Sequence, residues 1–226
     1  YMAKSIAEKH GMRATFMPKP FADLTGSGCH AHVSLWRGEV NLFEGGDENG
    51  LSGVAAQFLG GVLAHAAGLT ALTNPTVNSY KRLSAPTTLS GATWAPNSIT
   101  WTGNNRTHMV RVPDRGRFEI RLADGAANPY LLQAAILAAG LDGIATGASP
   151  GSRSDFDMYA EPHKAAGAKK LPQNLLDAIR AFEADEALKA ALGTGFASAY
   201  AKLKLQDWHA YTRHLSDWER QSTLDC

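Results

Sequence analysis

Two short stretches carry the side chains best suited to chemistry. Residues 29–36 place His30, His32 and Ser34 at alternate positions, and residues 117–122 do the same with Arg117, Glu119 and Arg121. In an extended strand, alternate side chains share a face. The opposite faces, Cys29, Ala31, Val33 and Leu35 on one stretch and Phe118, Ile120 and Leu122 on the other, suit a core. A solvated outer face is the ordinary explanation of such a pattern. Two imidazoles and a carboxylate flanked by arginines beside a Gly-rich turn are unusual in that role and point to a site. Imidazole and carboxylate both ligate divalent cations such as Mn²⁺ or Mg²⁺, with Mg²⁺ preferring oxygen. Arginine forks match carboxylates and phosphates, and Arg82, Arg106, Arg111, Arg115, Arg117 and Arg121 fall within one span. Metal and arginine together around transferring oxygens are what phosphoryl chemistry uses.

Other readings of the same residues are poorer. Gly26-Ser27-Gly28 is followed by no Gly-Lys-Ser/Thr, so it is not a phosphate-binding P-loop. Cys29 and His30 are adjacent strand residues on opposite faces, a poor thiol–base pair. His30-x-His32 has no third nitrogen or sulfur ligand at useful spacing for zinc. His10, His65, His108, His163, His209 and His214 are assigned to structure or surface.

The elements that must position these groups are read from periodicity. Residues 1–10 are helical and end at Gly11; 14–17 and 29–36 read as strands, and 37–50 as loop. Apolar residues recur at helical spacing over 52–73 and stop at Asn74-Pro75. Residues 74–97, with four prolines, read as irregular. Strands are expected at 98–101, 107–112 and 117–122. Asn128-Pro129 opens a helix to residue 144 that is apolar almost all round and is therefore expected to be buried. Helices are also expected from Leu175 and from Phe196 to Trp218. This mixed order indicates an α+β fold, an antiparallel β-sheet with packed helices.

Composition narrows the function class. The 226 residues allow one well-buried domain or two small ones. Lys and Arg (22) nearly balance Asp and Glu (21), which argues against a nucleic-acid partner. Two cysteines make no disulfide framework or cysteine zinc site and suit a reducing, cytoplasmic compartment. No apolar run reaches the ~18 residues of a membrane span, and no signal peptide opens the chain.

Lys19-Pro20-Phe21, Gly26-Ser27-Gly28-Cys29-His30-Ala31-His32, Asn74-Pro75-Thr76-Val77-Asn78-Ser79-Tyr80-Lys81-Arg82-Leu83, Asn105-Arg106-Thr107, Arg117-Phe118-Glu119-Ile120-Arg121 and Ala127-Asn128-Pro129-Tyr130 closely resemble the glutamine synthetase superfamily, in the family's order. The tail, from Asp157-Met158-Tyr159 to Trp218-Glu219-Arg220, resembles a bacterial branch containing type III-like glutamine synthetases and glutamate–methylamine ligases. The resemblance implies a ligase that makes a γ-glutamyl amide from glutamate, ATP and ammonia or a small alkylamine through γ-glutamyl phosphate, with Mg²⁺ or Mn²⁺. It implies His30 and Glu119 as metal ligands, and His32, Ser34, Arg106, Arg111 and Arg117 on the nucleotide side. Gly26, Arg82 and Arg121 fall on the substrate side, with Arg106 and Arg121 also acting on the transferring phosphoryl group.

Two departures stand out. Thr25 occupies the position of a common Asn. Trp94, in Ala92-Thr93-Trp94-Ala95-Pro96, occupies the position of the flap glutamate that takes a proton from ammonium. An indole cannot accept that proton; it either packs against an N-alkyl group, holding an alkylammonium by a cation–π contact of ~0.5–2 kcal/mol, or only packs the flap. Tyr159 matches a position adenylylated in some relatives. The resemblance also implies a homo-oligomeric ring. Residues 1–226 are expected to be the carboxy-terminal part of the catalytic domain, with a helical tail at about 171–226 and further glutamate ligands before Tyr1. That predicts weak Mn²⁺ binding and no turnover for this chain alone. The reading from a different class is a non-catalytic nucleotide-binding or assembly domain.

Overall fold

The computed structural model describes residues 1–46, 50–85 and 95–226. Trp94, on which the amine argument turns, lies outside the described residues.

The site rests on a four-stranded sheet in the order β1 (Ala31–Val33), β6 (Arg117–Ile120), β5 (Val110–Asp114), β4 (Trp101–Thr102). β1 and β5 flank β6 antiparallel, while β4 lies parallel to β5, so the antiparallel expectation holds for all but one pair. Phe118 and Ile120 point from β6 into the core as their parity requires, and the Phe118 ring stacks on Phe43 with centroids 5.1 Å apart. Phe58 reaches the same cluster from α2 (Gly53–Ala64), 5.8 Å from Phe118.

Behind the sheet, α2 lies against α5 (Pro129–Thr146) at backbone distance. A Cβ built on Gly61 would sit 2.1 Å from the Ala139 carbonyl oxygen, and one on Gly140 would sit 2.1 Å from the Phe58 ring. These glycines are therefore what lets the two helices close on each other. Asn128 caps α5 through Tyr130 N–H (3.0 Å) and Leu131 N–H (3.3 Å), with Pro129 in the first turn as anticipated. The remaining helices are α1 (Met2–Lys9), α3 (Ala66–Thr73), α4 (Val77–Leu83), α6 (Leu175–Ala184), α7 (Glu186–Leu192), α8 (Thr194–Thr212) and α9 (Asp217–Thr223). Leu175, Phe182, Leu188 and Ala197 join the same core as the sheet, so the helical tail packs onto that core at least as far as α8.

Several local expectations are corrected. Residues 14–17 form no strand, because Thr15 Oγ1 accepts the Met17 N–H (3.1 Å) and supplies locally the bond a ladder would offer. The strand expected over 29–36 is confined to Ala31–Val33, and Cys29 is exposed rather than in the core. Residues 37–50 contain part of a hairpin, β2 (Trp36–Arg37) with β3 (Val40–Asn41), turned at Gly38, whose φ of +59° is left-handed. The run over 52–73 is two helices bent by 74° at His65. Residues 74–97 contain α4, started by a capping box in which Thr76 and Ser79 satisfy each other's backbone N–H. The terminal helix breaks before Ser216, which caps α9.

Helix α5 is not buried all round. Leu132, Ala135, Ile136 and Ala139 face the core, while Leu137 and Leu141 stay exposed. By length and composition alone α5 would pass as a membrane-crossing helix, but its inner stripe packs against α2 in the core.

Candidate active site

The polar faces of β1 and β6 meet as their parity predicts. His32 lies opposite Glu119 on one side, and Arg111 lies opposite Glu119 on the other, so three strands contribute one row. Only its outer end is wet: His32 is exposed, whereas Glu119, and Arg121 just past β6, are each 4% exposed. Buried charge at the middle of a sheet needs partners, and Glu119 has three. Its Oε2 accepts from Arg111 Nη1 at 2.5 Å, and its Oε1 accepts from Arg121 Nη1 at 2.7 Å and lies 2.9 Å from His30 Nδ1. Burial opposes ionisation of Glu119, but Arg121, Arg111 and His30 outweigh it and hold the carboxyl below its usual range.

His30 sits just before β1. Burial, reinforced by the Arg121 charge, lowers its pKa from 6.5 to about 4 against the opposing pull of Glu119. At neutral pH the imidazole is therefore neutral. Its Nδ1 lies 2.9 Å from Glu119 Oε1 and 3.3 Å from Arg121 Nη1; donation to the nearer carboxylate leaves the lone pair on Nε2. That atom faces open space kept by Gly28, where an added Cβ would lie 3.0 Å from His30 Nε2 and 2.9 Å from Arg82 Nη2.

Arg82 enters this space from α4, almost wholly buried, donating to the carbonyls of Leu122 (3.0 Å) and Arg121 (3.3 Å). Gly26 passes so close to the Pro18 carbonyl that a Cβ there would fall 2.2 Å from its oxygen, which accounts for glycine at that position. Asn78 bonds both the N–H (2.7 Å) and the C=O (2.9 Å) of Lys19, tying the Pro18-Lys19-Pro20 loop to α4. Arg121 Nε is buried with no hydrogen-bond partner among the described residues. An unused, buried guanidinium N–H beside Arg82 is suited to an anionic oxygen.

His32, Arg117 and Asp114 form an outer group. Arg117 donates to His32 Nδ1 at 2.7 Å and to Asp114 Oδ2 at 2.5 Å. Arg106 is exposed on the loop before β5, near enough for its charge to act on Arg121. Ser34 is not drawn into the cluster, since its hydroxyl accepts from the Trp36 indole at 2.9 Å.

Sequence reasoning passed over Asn74 and Asp124. Both are fully buried, and Asn74 Nδ2 donates to Leu122 O (3.0 Å) and to Asp124 Oδ2 (2.9 Å). Asn74-Pro75 and Asp124-Gly125 read as turn signals, and two buried polar residues inside turn motifs were the available clue.

Among the described residues no three His, Cys, Asp or Glu side chains gather as a metal site. His30 and Glu119 supply two donors of suitable chemistry, a neutral imidazole nitrogen and an ionised carboxylate, beside space that any Cβ at residue 28 would fill. They fit one part of a divalent-cation shell.

The profile described as "Glutamine synthetase, catalytic domain" matches residues 1–223. The chain belongs to the glutamine synthetase family. A curated protein named glutamine synthetase from Rhizobium leguminosarum bv. phaseoli is 64% identical over all of this chain and 52% of its own length. A glutamate–methylamine ligase from Methyloversatilis universalis is 45% identical over 99% of this chain and 51% of its own. A solved structure described as "GmaS/ADP complex-Conformation 1" superposes with a TM-score of 0.93 at 65% identity, covering all of this chain and 52% of that one. The chain thus spans about half the length of the glutamine synthetase relatives it matches.

Proposed function

We propose that this chain is the carboxy-terminal half of an ATP-dependent ligase that joins the γ-carboxylate of glutamate to ammonia or a small alkylamine. The observation that carries the reading is the Glu119 hub, a buried carboxylate shared by Arg111, Arg121 and His30. In the reaction, a glutamate γ-carboxylate oxygen attacks the γ-phosphorus of ATP and ADP leaves. The amine nitrogen then attacks the γ-carbonyl carbon of γ-glutamyl phosphate, phosphate leaves, and the nitrogen gives up a proton.

Arg82 and Arg121 take the anionic oxygens of glutamate and of the transferring phosphoryl group, the buried Arg121 Nε having no partner among the described residues. Arg106 and Arg111 add positive potential on the phosphate side, and His32 and Arg117 take the nucleotide side, with Ser34 outside their cluster on its bond to the Trp36 indole. Gly26 allows the backbone to approach the amino acid. A divalent cation bound by His30 and Glu119 would supply charge neutralisation for the phosphates. Fixed cations aimed at developing charge are the main catalytic lever in phosphoryl transfer.

Arg121→Lys in the intact protein tests the site. A drop of about 100-fold in glutamate-dependent phosphate release from ATP is expected; unchanged turnover would remove the hub from the chemistry. Whether the amine is ammonia or an alkylamine rests on Trp94. Relatives named for glutamine and for methylamine support the two choices. The indole favours the alkylamine, and a kcat/KM for ammonia equal to or above that for methylamine would overturn that preference.

A further inference from the structure

The buried guanidinium of Arg82 sits among neutral acceptors, the Leu122 and Arg121 carbonyls. Burial works against its charge, and Asp124 is the strongest influence that restores it. Asp124 does not line the site. It is fully buried behind Arg82, with Oδ1 accepting the Ala126 N–H (3.0 Å) and Oδ2 accepting Asn74 Nδ2 (2.9 Å). Asn74 spends its second N–H on Leu122 O (3.0 Å), the carbonyl that also receives Arg82 Nη1. Its Oδ1 lies 2.7 Å from the Thr73 hydroxyl, which shares its one proton between Asn74 and Leu69 O (3.0 Å) and so orients the amide. The Asp124 backbone is bridged to Gly28 and donates to Thr73 O (3.2 Å). One network therefore joins the end of α3, the Gly28 turn and the segment that follows Arg121.

We infer that Asp124 is a positioning residue for the substrate-carboxylate site, holding the Arg82 guanidinium in place from behind through Asn74 and the Leu122 carbonyl without touching substrate. A buried cation keeps one geometry only when its countercharge and acceptors are themselves fixed. Asn74 and Thr73 do the fixing, and Asp124 supplies the charge. The inference rests on the reading of Arg82 as a glutamate-binding residue.

Steady-state kinetics of the intact protein test it, with glutamate and ATP varied separately. Asp124→Asn is expected to raise KM for glutamate about tenfold while KM for ATP and kcat stay within about twofold, because the lost interaction is charge-assisted and specific to Arg82. Thr73→Val, nearly isosteric, only loosens the Asn74 amide and should move the same constant about two- to threefold. Arg82→Lys should also raise KM for glutamate, and adding Asp124→Asn to it should cost little more, since the two residues act as one unit. If Arg82→Lys leaves KM for glutamate unchanged, the reading of the site fails and the inference with it. If Arg82→Lys raises it but Asp124→Asn and Thr73→Val change only protein yield or kcat, Asp124 is merely structural and the inference alone is overturned. Should Asp124→Asn not fold, Thr73→Val decides by the same criterion.

Discussion

Two histidine–carboxylate clusters in this molecule use the same residue types to opposite ends. At the sheet, His30 meets Glu119 with Arg121 and Arg111 alongside, and its pKa falls to about 4. At the bend between α2 and α3, His65 lies between Asp185 (Nδ1 to Oδ2, 2.8 Å) and Asp142 (Nε2 to Oδ2, 2.9 Å), and its pKa rises to about 9. Both are partly buried, so burial pushes each downward. The difference is what burial meets: at His30 it is the largest influence and Arg121 and Arg82 reinforce it against Glu119, whereas at His65 the bond to Asp185, with Asp142 assisting, overcomes it. His30 keeps a neutral ring with a lone pair to offer. His65 must be protonated at both nitrogens to serve both acids, and nothing remains for a ligand. One cluster is therefore poised for chemistry, and the other locks α5 and the start of α7 onto the helix bend.

The largest expected difference between them is in turnover. Glu119→Gln in the intact protein should lower kcat/KM by about 100-fold or more, as removal of a preorganised charge in a site does. His65→Ala should leave kcat/KM within about twofold. Equal losses would erase the distinction drawn between the two clusters. Stability should not separate the two. Removing His65 deprives Asp142 of its ring donor and leaves Asp185 with the Leu188 N–H (3.1 Å), which costs about 3 kcal/mol, measurable by denaturant unfolding. Glu119→Gln leaves the buried Arg121 and the partly buried Arg111 without their countercharge, so a loss of about 3 kcal/mol is expected there too.

The same contrast explains what was legible in the sequence. Parity along 29–36 and 117–122 was enough to bring His30, His32, Glu119 and Arg121 to one face, because a strand's geometry has period two whatever surrounds it. The α5 cap was legible for a similar reason, since Asn-Pro acts locally. The His65 clamp was not. Its partners are 77 and 120 residues away, and a lone histidine in an apolar helical run carries no sign of which acids it will meet. The bend at His65 was missed with it, because apolar spacing continues across the break. Asp124 and Asn74 escaped for a third reason, their local motifs being those of ordinary turns. Helix α4 was overlooked because Ser79 closes its capping box where Glu or Gln is the usual signal.

The most specific effect is the alkaline dependence of stability. In the unfolded chain His65 titrates near 6.5, and in the fold near 9, raised chiefly by its hydrogen bond to Asp185, with burial opposing and Asp142 assisting. Below pH 6.5 both states carry the proton and the clamp contributes in full. Between 6.5 and 9 only the folded state retains it, so unfolding releases a proton and stability falls as pH rises. Above 9 the folded state loses it too, and the contribution is gone. Unfolding free energy measured from pH 6 to pH 10 should therefore decline through this window. His65→Gln, which still offers a donor to one acid at every pH, should remove that part of the decline while lowering stability at pH 6. A variant whose slope matches the parent would show that His65 is not doubly protonated in the fold, and the contrast with His30 would reduce to one of position.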